Sequence, residues 1–440
     1  VPLIDELLEA QESADRIRSE RIARAWAIYR GDHPRPLRVR EGEPDDNVIL
    51  NLAGLVVDTG VDALFGQELG IAAEPGAEAS EARDWLDAAW ERNRGMLTLQ
   101  AAATNGAVSG QAALRILPAE GRIPPRLVVV DPQMLRVVWA PDDVGVVLGY
   151  AICWMTRDDR SQPLERRQLI QRDGAQWVIS DQQRAGAGRW QAMPDGETVW
   201  PYPWPPIVDC QNLPEPNAWW GRPDLTSDVL DTQAAVNRVL SNAARVQRIH
   251  GHPKVWAKGV GDGEGLDVAP DEAILLPDTD SEIGTLEPRS HVADHVELYR
   301  VVKASLHEIA RVPEITAGRL EGIGQLSGLA LQILYGPLVR KTETKRRLYG
   351  ELVRTVSQRM LELAGFGAEV EVDLHWPEVV PSDDLEQATA AEALQRAGVS
   401  RATALQAMGY DPEAEAEHRQ EEAANLGAAL LDNFERGRGA

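Results

Sequence analysis

The chain has 440 residues, of which 43% are hydrophobic and 26% charged, and its 45 Lys and Arg against 69 Asp and Glu give a formal net charge of −24. That length divides into several cores, and so acidic a balance argues against a protein that grips nucleic acid by neutralising phosphates, while leaving room for one that keeps DNA mobile by repelling it. No apolar run reaches the roughly 18 residues of a membrane span; Val1 to Glu6 have neither a basic start nor a signal core, so secretion is not expected, and Cys153 and Cys210 cannot build a disulfide framework or a zinc quartet.

The first hundred residues are expected to be helical. Leu7, Leu8, Ile17, Ile22, Ala25 and Ile28 predict a helix from Ile4 to Tyr29, stopped by Arg30-Gly31-Asp32-His33-Pro34. A second helix is predicted over 47–69, with Leu52, Leu55, Val56, Val61 and Leu64 as its apolar stripe. A third runs from Ser80 to Asn93 and a fourth from Met96 to Ser109. The period then shortens to two. Runs at 112–117, 126–130, 135–139, 144–155, 169–172, 176–179 and 188–191 predict a β meander, and Trp139, Trp154, Trp177, Trp190, Trp200 and Trp204 are expected to serve its core and surface. Pro201-Tyr202-Pro203-Trp204-Pro205-Pro206 is a stiff connection into a strand at 207–209.

The centre of the chain is a pair of helices. Over 222–252, Leu225, Val229, Thr232, Val236, Val239, Ala243 and Val246 recur at steps of four and three, with Asp228, Asp231, Arg238, Arg245 and Arg248 opposite. Over 291–312, Val292, His295, Tyr299, Val302, Leu306 and Ile309 follow the same rhythm, predicting an antiparallel pair; about 25 residues of helix would span ~37 Å. Strands are predicted at 254–258 and 273–276 between the two. After a Gly-rich break at 317–324 comes a long helix from Ser327 to Gly365, expected to kink near Gly336-Pro337, then a strand at 369–374 and acidic helices from Asp383.

Catalytic and cofactor chemistry finds no constellation. His291 and His295 lack a third metal ligand. The run Gly259 to Gly265 places Asp262 and Glu264 where a phosphate cradle needs amides and Lys. No Gly-x-x-x-x-Gly-Lys-Ser/Thr motif and no nucleophile with its base are present, so neither a cofactor nor an enzyme is expected.

Three ordered landmarks carry a resemblance. Tyr29-Arg30-Gly31-Asp32-His33 precedes Asn47-Val48-Ile49-Leu50-Asn51-Leu52-Ala53-Gly54-Leu55-Val56-Val57-Asp58-Thr59 and Leu64-Phe65-Gly66. Trp220-Gly221-Arg222-Pro223-Asp224-Leu225 leads into Asn237-Arg238-Val239-Leu240-Ser241. Ser327-Gly328-Leu329-Ala330-Leu331 opens a long basic helix. Together they resemble the portal proteins of tailed bacteriophages of the siphovirus type, although apolar residues follow the Asn pair where the family usually has a polar or basic one.

The resemblance implies an α+β, mainly helical portal fold. Residues 1–221 would form an N-terminal wing (helical 1–109, β-rich 110–210). Residues 222–252 and 291–312 would be stem helices, 253–290 a small α/β clip, 313–326 a tunnel loop, 327–381 the long wing helix and return strand, and 382–440 a helical crown. It also implies a ring of about twelve copies at one capsid vertex. Double-stranded DNA would pass through the ring without sequence specificity, and the terminase large subunit, a head-completion adaptor, and major capsid and scaffolding proteins would be its partners. Assembly in the host cytoplasm and residence in the virion, not in a membrane, follow.

On this reading Pro313, Glu314, Thr316, Arg319, Glu321 and Gln325 of the tunnel loop face the DNA. Arg319 either contacts the duplex or pairs with Glu314 or Glu321. Lys254, Trp256, Lys258, Asp262, Glu264, Asp271 and Glu272 belong to the docking surface of the clip. Arg340, Lys341, Lys345, Arg346 and Arg347 are expected to pair with acids of a neighbouring subunit rather than with DNA. A non-viral scaffold or adaptor, or a hydrolase with an unrecognised site, are the competing readings.

Overall fold

The computed structural model describes residues 2–73, 79–119, 121–158, 160–186, 188–250, 254–258, 282–286, 292–314, 328–367, 370–379, 396 and 400. It mixes helices and sheets. Its elements in chain order are α1 (Pro2–Tyr29), α2 (Leu52–Phe65), β1 (Gly70–Ala73), α3 (Ala79–Arg92), α4 (Gly95–Ser109), β2 (Gln111–Leu117), β3 (Arg126–Val129), β4 (Leu135–Ala140), β5 (Asp143–Arg157), β6 (Pro163–Asp173), β7 (Gln176–Arg184), β8 (Gln191–Trp200), β9 (Ile207–Gln211), α5 (Ser227–His250), β10 (Lys254–Lys258), β11 (Glu282–Leu286), α6 (Val292–Ala310), α7 (Gly328–Leu363) and β12 (Val372–His375). The chain divides into two units. One holds residues 1–321 and 335–377; the other holds 322–334 and 378–440, of which the first turns of α7 are the main described part.

The main core of the first unit gathers one apolar stripe from each of several helices. Val56, Val57 and Phe65 of α2 meet Leu99 and Ala103 of α4, Leu114 and Ile116 of β2, and Tyr349, Leu352, Val353 and Val356 of α7. Those α7 positions recur at steps of three, one and three, the spacing of a single buried helix face. A second cluster packs Tyr150, Trp177, Trp200 and Trp219 on the sheet ordered β4-β5-β6-β7-β8, whose neighbours are all antiparallel. The N-terminal end of α1 lays Ile4 on Val138, Ala151 and Leu169 of this sheet. Arg18 stands over Trp220 at 3.5 Å and donates to the carbonyls of Pro132 and Leu135.

Several expected boundaries move for local reasons. The second helix begins at Leu52 rather than at 47, because the Asn51 side chain accepts from the Gly54 amide and caps it, while 47–51 is non-helical. It ends at Gly66, ahead of a short strand, β1, that pairs with β12. Of the strand expected at 188–191 only Gln191 is in a strand, as the first residue of β8, which runs to Trp200 through Pro194, Asp195 (φ 55°) and Gly196, with an irregular register opposite Ser180 and Gln182. The partner of β10 is β11; the strand expected at 273–276 lies outside the described residues. Pro337 sits inside α7, which runs through it. α5 and α6 pack along each other.

Candidate functional site

The two central helices are anchored at one buried charge cluster. Gly110 (φ +96°) lies so close to Gly221 that a Cβ on it would stand 2.1 Å from the Gly221 carbonyl oxygen, so only glycine admits this crossing of two chain segments. The crossing delivers Asp224 to the end of α4, where its amide donates to the Ala107 carbonyl (2.7 Å). The Asp224 carboxylate is wholly buried between Lys345 (2.5 Å) and Lys341 (3.0 Å) of α7, both themselves buried. Burial pushes the carboxyl up, but the two ammonium groups outweigh it and hold it at about 2. Burial lowers the Lys345 ammonium, against the pull of Asp224.

Lys341 has a second task. Its Nζ also donates to the Ala310 carbonyl (2.9 Å), one of the open carbonyls at the C-terminus of α6. There Arg311 turns into the left-handed region (φ 56°), the Val312 amide returns to the His307 carbonyl, and the His307 ring nitrogen Nδ1 bonds the Val312 carbonyl at 3.1 Å. Lys303 grips Glu314 at 2.6 Å. One cation thus links the start of α5, the end of α6 and the middle of α7.

A second fastening runs along α5. Gln233, Asn237 and Ser241, spaced four apart and all buried, take the backbone of residues 48–53 as a strand would. The Val48 amide donates to Ser241 Oγ (3.0 Å), the Leu50 amide to Asn237 Oδ1 (3.0 Å) and the Ala53 amide to Gln233 Oε1 (2.8 Å), while Gln233 Nε2 donates to the Leu50 carbonyl (2.7 Å). Asp46 closes the end of the row with Arg248 (2.6 Å) and Arg245 (3.3 Å). Asn237→Ala would strip the Leu50 amide of its acceptor and is expected to destabilise the chain by about 1–2 kcal/mol; an unchanged denaturant midpoint would contradict the role given to this row.

The expected wing-helix cations separate into two groups. Lys341 and Lys345 correct the expectation of pairing across a subunit boundary, because they face inward to Asp224 of their own chain. Arg346 donates to the Pro377 carbonyl and lies over Trp376, whereas Arg340 and Arg347 are exposed. Of the expected tunnel loop, Pro313 and Glu314 are described; Thr316, Arg319, Glu321 and Gln325 lie outside the described residues. Lys254, Trp256 and Lys258 fall on β10, with Lys258 exposed, and Asp262, Glu264, Asp271 and Glu272 lie outside the described residues. Among the described residues no group of three or more His, Cys, Asp or Glu gathers as metal ligands, and no helix is long and apolar enough to cross a membrane.

The model of the phage portal protein family of SPP1 Gp6-like type matches residues 10–426. This chain belongs to that family. The portal is also similar, at a TM-score of 0.47 and 14% identity, to a chain in the neck of a native gene transfer agent (GTA) particle computed with C12 symmetry, covering 82% of this chain and 90% of that one. It is similar at 0.47 and 14% to a chain in the virion of a native gene transfer agent particle, covering 85% and 96%. No curated protein matches the sequence. In this portal the two landmarks at 47–59 and 237–241 are the two sides of the hydrogen-bonded row on α5, and Asp224, of the landmark before α5, is the centre of the charge cluster.

Proposed function

We propose that the chain is one subunit of a closed ring, of about twelve copies, set at a single vertex of a phage-type capsid. The match of the portal family model over residues 10–426 carries this reading. α5 and α6 form the stem, 253–290 the clip that receives the terminase large subunit during packaging and the head-completion adaptor afterwards, and 313–326 the loop that meets double-stranded DNA in the channel. Major capsid and scaffolding proteins surround the ring, which assembles in the host cytoplasm and remains in the virion.

Two features of the chain support a mechanical rather than a catalytic role. Leu298 and Val301, one turn apart on the N-terminal half of α6, are 49% and 55% exposed, an apolar surface suited to burial against the next subunit. The net charge of −24, repeated around a ring, makes a lumen that repels the phosphate backbone instead of holding it. Arg319 is the cation proposed to touch the duplex. The test is packaging of DNA into capsids assembled with this portal: Arg319→Glu should lower packaged DNA several-fold while rings still form. Packaging at the wild-type level with the variant would remove Arg319 from the channel contact.

A further inference from the structure

The three-stranded and five-stranded sheets have four edges, at β3, β9, β4 and β8, and side chains seal two of them. Beside β3 the Leu127 amide donates to Asn93 Oδ1 (2.7 Å) and the Pro125 carbonyl accepts from Asn93 Nδ2 (2.9 Å). On β4 the Leu135 carbonyl accepts from Arg18 (2.7 Å) and Arg136 (3.0 Å). β9 is sealed along part of its length only. The Asn212 amide donates to the Gly110 carbonyl and the Ile116 amide to the Pro206 carbonyl, so even-numbered residues here bond β2 and odd-numbered ones turn their backbone groups outward. Arg359 of α7 takes the outward carbonyls of Pro205 and Ile207, at 2.9 Å each. The outward amides and carbonyls of Asp209 and Gln211 have no partner among the described residues. They border an open cleft of about 640 Å³, walled by Trp219 and by Arg347, Glu351 and Thr355 of α7. Its acids are answered: Arg354 stands 3.9 Å from Glu351, and the Asp209 carboxylate accepts from Tyr150 and Gln111. Arg347 is exposed and makes no ion pair among the described residues.

The other open edge is β8. Pro194, Asp195 and Gly196 interrupt its first half, a device that keeps an edge from pairing. Residues 197–200 are regular, matched in order to 180–177 of β7, and Glu197, Thr198 and Val199 are exposed. We propose that the open stretch of β9 receives β8 of a second copy, 197–200 pairing with 209–211, so that the three-stranded sheet of one subunit continues into the five-stranded sheet of the next. A ladder on Asp209 and Gln211 needs three partner residues, about 10 Å of strand, and the regular end of β8 supplies four. It gives the free backbone groups of both residues their hydrogen bonds. Glu197 brings a carboxylate to the unpaired Arg347 guanidinium, and the apolar Val199, 54% exposed in the single chain, is covered. The two edges are unlike patches, and a contact between unlike patches is the head-to-tail kind that closes rings; the proposal rests on the ring reading for its second copy.

Photocrosslinking of the assembled full chain tests this contact. With p-benzoylphenylalanine in place of Thr355, irradiation should give covalent dimers in which Thr355 of one copy is joined to β8 of another. In that background Arg347→Glu and Glu197→Arg should each lower the dimer yield several-fold, and the two together should restore it. In the unmodified assembly the amides of Asp209 and Gln211 should exchange as slowly as those of Val208 and Cys210, which bond β2. Rings that form without the dimer, a crosslink that maps elsewhere, a paired reversal that restores nothing, or open-edge exchange at Asp209 and Gln211 would overturn the contact and leave the portal reading standing. A folded chain that never assembles would overturn both.

Discussion

Asn in place of Asp224 is expected to destabilise the chain by about 3–5 kcal/mol, the penalty for leaving a buried charge without its counter-ion. Here the stranded charges are two, since Lys341 and Lys345 are only 4% and 2% exposed and share this one carboxylate. The loss should be relieved in part by Lys345→Met in the same chain, because removing the second cation ends the repulsion; a double variant no better than Asp224→Asn alone would contradict a shared cluster. The pH dependence has a definite sign. With its carboxyl depressed to about 2, Asp224 contributes stability that is complete above the ordinary carboxyl range and disappears only as the pH falls through about 2. In Asp224→Asn the buried Lys345 ammonium, lowered by burial, loses the carboxylate that supports it, so the variant should recover stability as the pH rises above neutrality. Denaturant unfolding of wild type and variants between about pH 1 and about pH 9 checks both statements.

Gly106→Ala should be comparably severe. A Cβ at this position of α4 would fall 1.9 Å from the Tyr349 hydroxyl oxygen and 3.3 Å from Asn212 Cβ. Tyr349 is fully buried, stacks edge-on against Phe65 and donates to Asn212 Oδ1 at 3.2 Å, so its ring has no free space into which to retreat. Overpacking of this kind costs about 1–3 kcal/mol and more where nothing yields; a loss of about 3 kcal/mol or more is expected here, with α4 pushed away from α7. Tyr349→Phe removes the clashing atom and relaxes the nearest approach to the 3.2 Å of the ring carbon. Gly106→Ala with Tyr349→Phe should therefore be more stable than Gly106→Ala alone, although Tyr349→Phe by itself gives up a buried hydrogen bond. Thermal unfolding of the four proteins of this cycle measures the coupling, and simple additivity would contradict it.

The parts legible in the sequence are those set by local period and local chemistry. α1, α3, α4 and the strands from β2 to β5 fall close to where apolar spacing and turn residues put them, β6 and β7 run well beyond the expected 169–172 and 176–179, and the portal family was readable from three short landmarks. The contacts that assemble the site were not legible. Gln233, Asn237 and Ser241 lie off the apolar seam of α5 and, by composition, belong to a solvated face. They are buried because the backbone of 48–53, up to 193 residues away in the chain, uses them as its hydrogen-bond partners. The only signal was that Asn47–Thr59 and Asn237–Ser241 both stood out as landmarks, which says nothing of their contact. Lys341 and Lys345 misled for a related reason. A basic stripe on a long helix looks the same whether its counter-ion is across a subunit boundary or, like Asp224, 121 residues away in the same chain. β8 was not legible beyond Gln191 because Pro194, Asp195 and Gly196 are turn residues by habit, yet here they lie within a strand of irregular register.

The central claim is that copies of this chain close into a channel. Negative-stain imaging of the purified full chain, with its mass measured by light scattering, tests it most directly. The portal reading predicts rings with an open centre and a mass near twelve subunits of 48.2 kDa. A monomer or small oligomer with no central hole, under conditions where the chain is folded, would contradict it.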